Sequence, residues 1–516
     1  MASIMDTDSA NNKRIAKNTL LLYFRMLFLM LVSLYTSRVI LNALGVEDYG
    51  IYNVVGGVVT MFSMLSGSLS AAISRFLTFE LGRGDYKKLH KIFSSSVTIQ
   101  IAIVLVIMVL AETIGLWFLN EKMVIPSERL TAANWCYQFS IITFAISLIS
   151  VPYNAAIIAH ERMSAFAYIS ILEALGRLSV AWCILQSPID RLIFYGGMVA
   201  LVGFIIFLIY MVYCKRHFDE CTYHLIYDHD LLKQMFGFAG WNFIGASSSV
   251  LRDQGGNIIL NLFFGPTVNA ARAIAVKINS VVNGFVSNFM MALNPQITKS
   301  YANGNHEYMF KLIFQGARLS YYILLILCLP IILNTHYILV SWLKLVPEHT
   351  VLFVQLTLLF AMSECLSYPL VTAMLATGNI RNYQIVVGGL QMLNLPVAYF
   401  CLYMGAIPES VVIVAIILGQ CCLAARLFML HKMIGLKIIS YLKQVYFNVV
   451  IVTILSSIIP FVVTQYFSES IISLIVNSII AFSCTILVEF YIGCNRKERN
   501  FVFRKITTKF YNYINI

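Results

Sequence analysis

From Asn18 to Ile492 long apolar runs alternate with short polar breaks. Each run reaches the roughly 20 residues that an α-helix needs to cross the hydrocarbon of a bilayer. The spacing predicts spans at 18–41, 49–74, 92–118, 131–159, 166–186, 192–214, 236–264, 266–291, 310–333, 351–375, 383–403, 411–430, 446–466 and 471–492. Spans one, seven and eight are the weakest in hydropathy, because they carry charges and many Ser, Asn and Gly. Residues 1–17 are polar and basic, and the run after them is long enough to remain a helix, so no cleaved leader is expected.

Composition supports the same reading. Hydrophobic residues make up 59% of the 516 and charged residues 12%, against about 25% charged in soluble domains. A length that would otherwise suggest roughly three domains is therefore read as one continuous all-α membrane domain of about fourteen helices. The net charge of +12 does not point to nucleic acid, because the basic residues are scattered among short loops. With the N-terminal side taken as inside, inside loops, tails and adjoining span ends hold 25 Lys and Arg, and outside loops hold 4 (Lys122, Arg129, Arg191 and Lys344). A missed helix would invert every later loop, so this bias supports the span count and predicts that both termini are cytoplasmic. The eleven cysteines form no CxxC pair. Cys183, Cys328, Cys401, Cys421 and Cys422 lie in apolar runs and read as packing residues. Neither a disulfide framework, nor a metal site, nor any other cofactor is expected.

The chain also repeats itself. Ile40-Leu41-Asn42 matches Ile259-Leu260-Asn261 at an offset of 219, while Gly84-Asp85 matches Gly304-Asn305 and Lys91 matches Lys311 at 220. Six helices separate the copies, so the halves share an orientation, and parallel repeats predict a substrate site between them. The expected organisation is a lobe at 1–214, a cytoplasmic linker at 215–235, a second lobe at 236–430, and an appended pair of spans with a basic tail at 431–516. The fold class is two six-helix parallel repeats around a central cavity plus two helices.

A charge at the centre of a membrane helix costs about 2.5–3.5 kcal/mol on insertion scales and should face a cavity or a partner. The basic candidates are Arg25 and Arg38 in span one, Arg177 in five, Arg252 in seven, Arg272 and Lys277 in eight, and Arg318 in nine; the acidic ones are Glu112, Glu173, Asp253 and Glu364. Glu173 and Arg177 stand four apart and predict an intrahelical pair. Glu112 and Arg38 lie near span ends and can reach the interface. Asp253 adjoins Arg252, although helix neighbours point about 100° apart. Arg25, Arg252, Arg272, Lys277 and Arg318 lack an acidic partner on their own face and are expected around one cavity between residues 1–214 and 236–430. Such a cavity suits an anion, since guanidinium matches phosphate oxygens bidentately. Asn242, Gln254, Asn257, Asn261 and Asn283 suit sugar hydroxyls, or equally well helix–helix hydrogen bonds. Asp253 and Glu364 are the candidates for coupling to an ion gradient.

The sequence contains no GxxxxGK[ST] loop and no HExxH; His160-Glu161 stands alone in a short inside loop. No outside loop exceeds roughly 20 residues on these span lengths, which leaves little room for an external catalytic domain. The stretch RVILNALGVEDYGIY (Arg38 to Tyr52), followed by Ser74-Arg75-Phe76 and Glu80-Leu81-Gly82, resembles the first two helices of bacterial polysaccharide flippases. These are the O-antigen and capsule lipid-linked oligosaccharide translocases of the multidrug/oligosaccharidyl-lipid/polysaccharide exporter superfamily. NIILNLFFGP (Asn257 to Pro266), NAAR (Asn269 to Arg272) and NPQITK (Asn294 to Lys299) resemble the same family more specifically, and the resemblance covers 13–430.

The resemblance implies two six-helix lobes around a cationic lumen, alternating access, and no enzymatic activity. The expected substrate is an undecaprenyl-pyrophosphate-linked oligosaccharide moved from the inner to the outer leaflet of a bacterial inner membrane. Arg25, Arg38, Arg252, Arg272, Lys277 and Arg318 would hold the pyrophosphate, the amides and Tyr would contact the glycan, and membrane lipids and other polysaccharide-assembly membrane proteins would be partners. The alternatives are a drug or organic-cation antiporter of the same superfamily and a membrane-embedded glycan polymerase. A topology reporter fused after Ile516 is expected to report a cytoplasmic position; a periplasmic signal contradicts the span count.

Overall fold

A computed structural model describes the backbone of residues 2–499 apart from short breaks at 61–62, 122–124, 225, 227, 265, 344–345, 467–468 and 497. Side chains of 1–13, of 53–66 and of scattered positions that include Arg38, Gln254 and Asn261 lie outside the described residues, as do Lys122, Lys344 and the tail beyond 499. Among the described residues the secondary structure is helical throughout, and the fourteen predicted spans all fall on helices. Among the described residues, eleven segments are long and apolar enough to cross a membrane. The segments outside that set are spans two, seven and eight, and the last two carry the polar residues noted above.

The helices group into two compact units: 1–247 with 291–305 and 375–384, and 248–290 with 306–374 and 385–516. The first contains α1 (Ala2–Thr60), α2 (Ser63–Arg83), α3 (Tyr86–Leu110), α4 (Leu116–Glu121), α5 (Leu130–Ala159), α6 (Met163–Cys183) and α7 (Arg191–His217). It also takes the start of α8 (His229–Phe264) and the end of α9 (Pro266–Ala302). Helix α1 covers predicted span one and enters span two, whose remainder from Ser63 lies on α2, and it is broken at Gly45, whose φ of 82° is not helical. Helix α5 packs against α2, α3 and α7, and α1 packs against α6. Its buried face carries Cys136, Tyr137, Ile141 and Leu148. The Tyr137 hydroxyl donates to the Ala111 carbonyl at 2.9 Å, where α3 loosens into a π-turn at Ala111–Gly115. Side-chain hydroxyls return to their own helix carbonyls at Ser140, Thr143, Ser150 and Ser170. That satisfies each polar group without water and lets spans rich in Ser and Thr remain in a bilayer.

The second unit holds α10 (His306–Leu333), α11 (Thr335–Leu343), α12 (Thr350–Cys365), α13 (Tyr368–Thr377), α14 (Arg381–Met392), α15 (Asn394–Tyr403), α16 (Ser410–Ile434), α17 (Ile438–Tyr441), α18 (Phe447–Tyr466) and α19 (Ile471–Val488), with the ends assigned above to the first unit excepted. Predicted spans ten and eleven are each split, into α12 and α13 and into α14 and α15. Pro369 and Pro396 follow the two breaks closely; a proline cannot donate to the preceding turn and its ring crowds the carbonyl four residues back. Helix α19 is apolar outside and polar inside: Ser473, Asn477, Ala481 and Thr485 are buried, while Ile472, Ile475, Ile479 and Ile486 are exposed. Small and polar residues at a four-residue spacing form the packing seam of a helix whose apolar face meets lipid.

The internal repeat has a local structural counterpart. Gly84 and Gly304 take φ of 72° and 70°. Gly84 N–H donates to Leu81 and Asp85 N–H to Glu80, and likewise Gly304 N–H donates to Tyr301 and Asn305 N–H to Ser300. The same left-handed cap, which glycine adopts without steric cost, ends α2 and α9.

At the opposite helix ends of the first unit, Arg129 bridges Asp48 at 2.5 Å and Asp190 at 2.6 Å. Asp190 also caps α7 by accepting from the Leu192 and Ile193 amides. Partial burial pushes the Asp190 carboxyl up, but the hydrogen bonds from Arg129 and these amides outweigh it and hold the group below the usual carboxylate range. A carboxyl lowered in the folded state stabilises fully above its unfolded value and loses that contribution as pH falls through the folded one. Arg129→Ala is expected to lower stability by about 1–2 kcal/mol at neutral pH. The difference from wild type should shrink below about pH 4, read as the thermal midpoint of purified protein across pH.

Candidate functional site

In the second unit, α8, α9, α12, α13 and α16 bring charges together, among them the buried Arg272 and Arg426. Arg252 Nε lies 2.9 Å from Asp253 Oδ1, and its guanidinium stacks over the Phe360 ring at 5.2 Å. Asp253, Glu364 and Tyr368 all act on the charge of Arg252. Arg272 is buried and donates from Nη2 to the Asp253 carbonyl at 3.2 Å. Among the described residues its Nη1 has no hydrogen-bond partner. Gly256 makes room for this group, since a Cβ there would lie 2.3 Å from Nη1. Arg426 is almost fully buried, with Nη1 3.9 Å from Glu364 Oε1. Tyr368 donates to Asn283 at 3.3 Å, and Asn283 donates to Asn279 at 2.7 Å. Three guanidiniums against two carboxylates leave this region cationic, and each arginine is fixed by stacking, by a carbonyl or by a carboxylate. Such an arrangement can receive an anion with little side-chain ordering.

The structure thus brings Arg252, Asp253, Arg272, Asn283 and Glu364 into one region. Lys277 is exposed on α9, and Asn257 is half-buried on α8. Arg25 belongs to the first unit, where its guanidinium stacks 4.5 Å over Phe166 with Glu173 and Tyr210 as charged or polar neighbours. Asn242 donates to the Ser68 carbonyl at 3.4 Å, also in the first unit. Arg38, Gln254 and Asn261 lie outside the described side chains. Glu173 and Arg177 form the expected intrahelical pair at 2.8 Å. Glu112 accepts from Gln138 at 3.1 Å.

Two partnerships go beyond what same-face spacing showed. Arg318 does have an acidic partner, Glu498 at 2.7 Å, and it also donates to the Gly493 carbonyl at 3.3 Å. The partner lies 180 residues along the chain, so same-face spacing on α10 could not reveal it. Arg252 and Asp253, although adjacent in sequence, do pair. Arg426, near the end of span twelve, is one of the 25 inside Lys and Arg of the sequence; the packing of α16 on α12 buries it. Its signal was a basic residue eight positions before the end of α16, well inside the helix. Cavities of about 660 Å³, lined in part by Tyr86, Lys87, His90 and His160, and of about 430 Å³, lined in part by His336, His349 and Glu409, include none of these arginines.

The helical fold is that of a known class of transporter. A MATE protein solved in complex with MaD3S is similar with a TM-score of 0.71 at 12% identity, over 82% of this chain and 96% of that one. An outward-facing multidrug resistance MATE transporter of the MOP superfamily gives 0.70, over 82% and 95%, again at 12% identity. A MOP superfamily transporter from Pyrococcus furiosus, described as having a binding pocket of reverse polarity, gives 0.69 at 13% identity over the same shares. The family of polysaccharide biosynthesis proteins matches residues 15–301, and the chain belongs to that family. The uncharacterized membrane protein EpsK of Bacillus subtilis is 20% identical over 291 residues, which are 56% of this chain and 57% of EpsK. The chain therefore aligns with just over half the length of that relative. The chain is thus a member of the polysaccharide biosynthesis family with a MATE-like fold, and among its described residues eleven helical segments are able to cross a membrane.

Gly256→Val is expected to push the Arg272 guanidinium off the Asp253 carbonyl. Its transport rate, normalised to folded protein in the membrane, should fall as far as that of Arg272→Ala. Wild-type flux in Gly256→Val would show that this position of Arg272 is not used.

Proposed function

We propose that the protein translocates a lipid-linked oligosaccharide, carried on undecaprenyl pyrophosphate, from the cytoplasmic to the outer leaflet of a bacterial inner membrane. The observation that carries this reading is the group of arginines, half-buried Arg252 with buried Arg272 and Arg426, in a chain of the polysaccharide biosynthesis family. On this reading Arg252 and Arg272 hold the pyrophosphate, with Lys277 as a further cation and Arg426 restraining Glu364. Arg25, stacked on Phe166 in the first unit, is not assigned to this group. Arg318 is left out, because Glu498 already occupies it. Asn283 and Tyr368 supply hydrogen bonds suited to sugar hydroxyls, as does Asn257. The lipid tail stays in hydrocarbon while the head group crosses through polar surroundings, which avoids dragging charge and hydroxyls through the bilayer core. Asp253 and Glu364 remain the candidates for coupling to an ion gradient, and both termini are cytoplasmic in this topology.

The alternative of an organic-cation antiporter draws support from the MATE-like fold and from Glu364. Charge substitution separates the two. Flipping of a lipid-linked oligosaccharide in proteoliposomes should follow the order Arg, Lys, Ala at position 272, because lysine keeps the charge and loses the two-pronged geometry. Arg272→Ala is expected to lose at least tenfold, on the order of one charge-assisted hydrogen bond. Wild-type flux in Arg272→Ala would remove this residue from the mechanism. Faster export of an organic cation after Arg272→Glu would favour the antiporter.

A further inference from the structure

The dipeptide His160-Glu161 and the motif Ser74-Arg75-Phe76…Glu80-Leu81-Gly82 are not used by the proposed anion site, yet they meet at one end of the first unit. Glu161 is the centre. Its backbone takes φ of 59°, a left-handed conformation that costs a side-chain-bearing residue free energy. Its carboxylate is almost wholly buried and receives three donors from two distant parts of the chain: Arg14 at 2.8 Å, Lys299 at 2.7 Å and Gln296 at 2.6 Å. Asn18 donates to its carbonyl at 3.3 Å. His160, the preceding residue, stacks on Phe218 with ring centroids 4.0 Å apart and contacts Glu220 at 2.5 Å, which anchors the turn that presents Glu161.

The same stretch of α9 is gripped from a second direction. A Cβ on Gly82 would lie 3.0 Å from the Lys299 Cα and 2.8 Å from the Ala302 Cβ, so only glycine lets α2 approach α9 this closely. Phe79 faces Tyr301 with centroids 6.3 Å apart. Arg75 stacks on Phe76 and Phe79, each at 4.7 Å, and donates to the Ala376 carbonyl at 3.1 Å. These contacts explain why 291–305 and 375–384, which come from the second half of the sequence, belong to the first compact unit.

We propose that these residues form a clasp with Glu161 as its latch, closed in this structure, and that transport requires the 291–305 segment to leave it. Three features support this over a purely structural joint. A buried carboxylate held by charged and polar donors from separate segments is costly to break halfway, which makes the joint two-state. The glycine contact is shape-dependent and cannot be held at an intermediate spacing. The Arg14 side chain is half exposed, so water can reach the latch as it opens. The charge bias along the sequence puts this end on the cytoplasmic side. The inference rests on the chain being a transporter, and is independent of which solute it carries.

The test is the rate at which a water-soluble maleimide labels a cysteine at a buried position of the gripped segment. Ser300→Cys is followed by peptide mass spectrometry on full-length protein in nanodiscs, with the exposed Asn303→Cys as control. Ser300→Cys should be protected in the parent protein. Adding Glu161→Gln or Gly82→Leu should each speed its labelling roughly tenfold, the order expected when a closed state loses one charge-assisted contact or its close packing. The Asn303→Cys control should change by less than about twofold. Unchanged labelling in both Glu161→Gln and Gly82→Leu would overturn the proposal. Equal acceleration of the control would overturn it too, because that marks general loosening; a thermal midpoint on each variant confirms which case applies. A failed flux assay with intact latch behaviour would count against the solute assignment alone.

Discussion

The absence of hydrogen-bond partners in hydrocarbon governs this molecule. Every backbone amide that crosses the bilayer must be paired inside its own segment, so the described chain is helical throughout and its loops are short. The same constraint acts on side chains. Serine and threonine hydroxyls fold back onto carbonyls one turn earlier, and arginines stack on rings or reach carbonyls and carboxylates. Free energy in such a protein lies less in apolar burial than in how completely polar groups are satisfied. The inside-out pattern of α19, with Asn477 and Thr485 within and isoleucines without, is the same rule on one helix.

Charge placement then divides the molecule by task. In the second unit, arginines outnumber the carboxylates that meet them, and among the described residues one Arg272 nitrogen has no hydrogen-bond partner, beside a glycine that gives it space. In the first unit, by contrast, one buried carboxylate, Glu161, is fully engaged, taking three donors. An under-neutralised cluster is suited to receiving an anionic ligand, whereas a fully satisfied buried carboxylate is suited to holding segments together. Arg318, with Glu498 and the Gly493 carbonyl as its partners, belongs to the second kind although it occupies a helix of the unit that contains the first.

The order of residues along the chain determined a good deal by itself. Span length and spacing follow from the thickness of hydrocarbon and the rise of an α-helix, both local properties, so fourteen segments could be read before any packing was known. Glu173 and Arg177 were legible for the same reason, because four residues make one helical turn. The recurrence of Gly84 at Gly304 was visible as a repeat, and both glycines adopt the same left-handed cap. Those signals are local, and local geometry suffices to interpret them.

Tertiary structure decided which charges have partners. Arg318 meets Glu498, Glu161 meets Arg14 and Lys299, and Arg426 meets Glu364 across separations of 62 to 180 residues, which no helical period encodes. It also decided that His160-Glu161, an unremarkable pair in a short loop, is a hub, and that Gly82 is needed for the close approach of α9 rather than for a turn. Segment length depends on one helix and the bilayer, and is written along the chain. Partnership depends on which helix faces which, and exists only once they have packed.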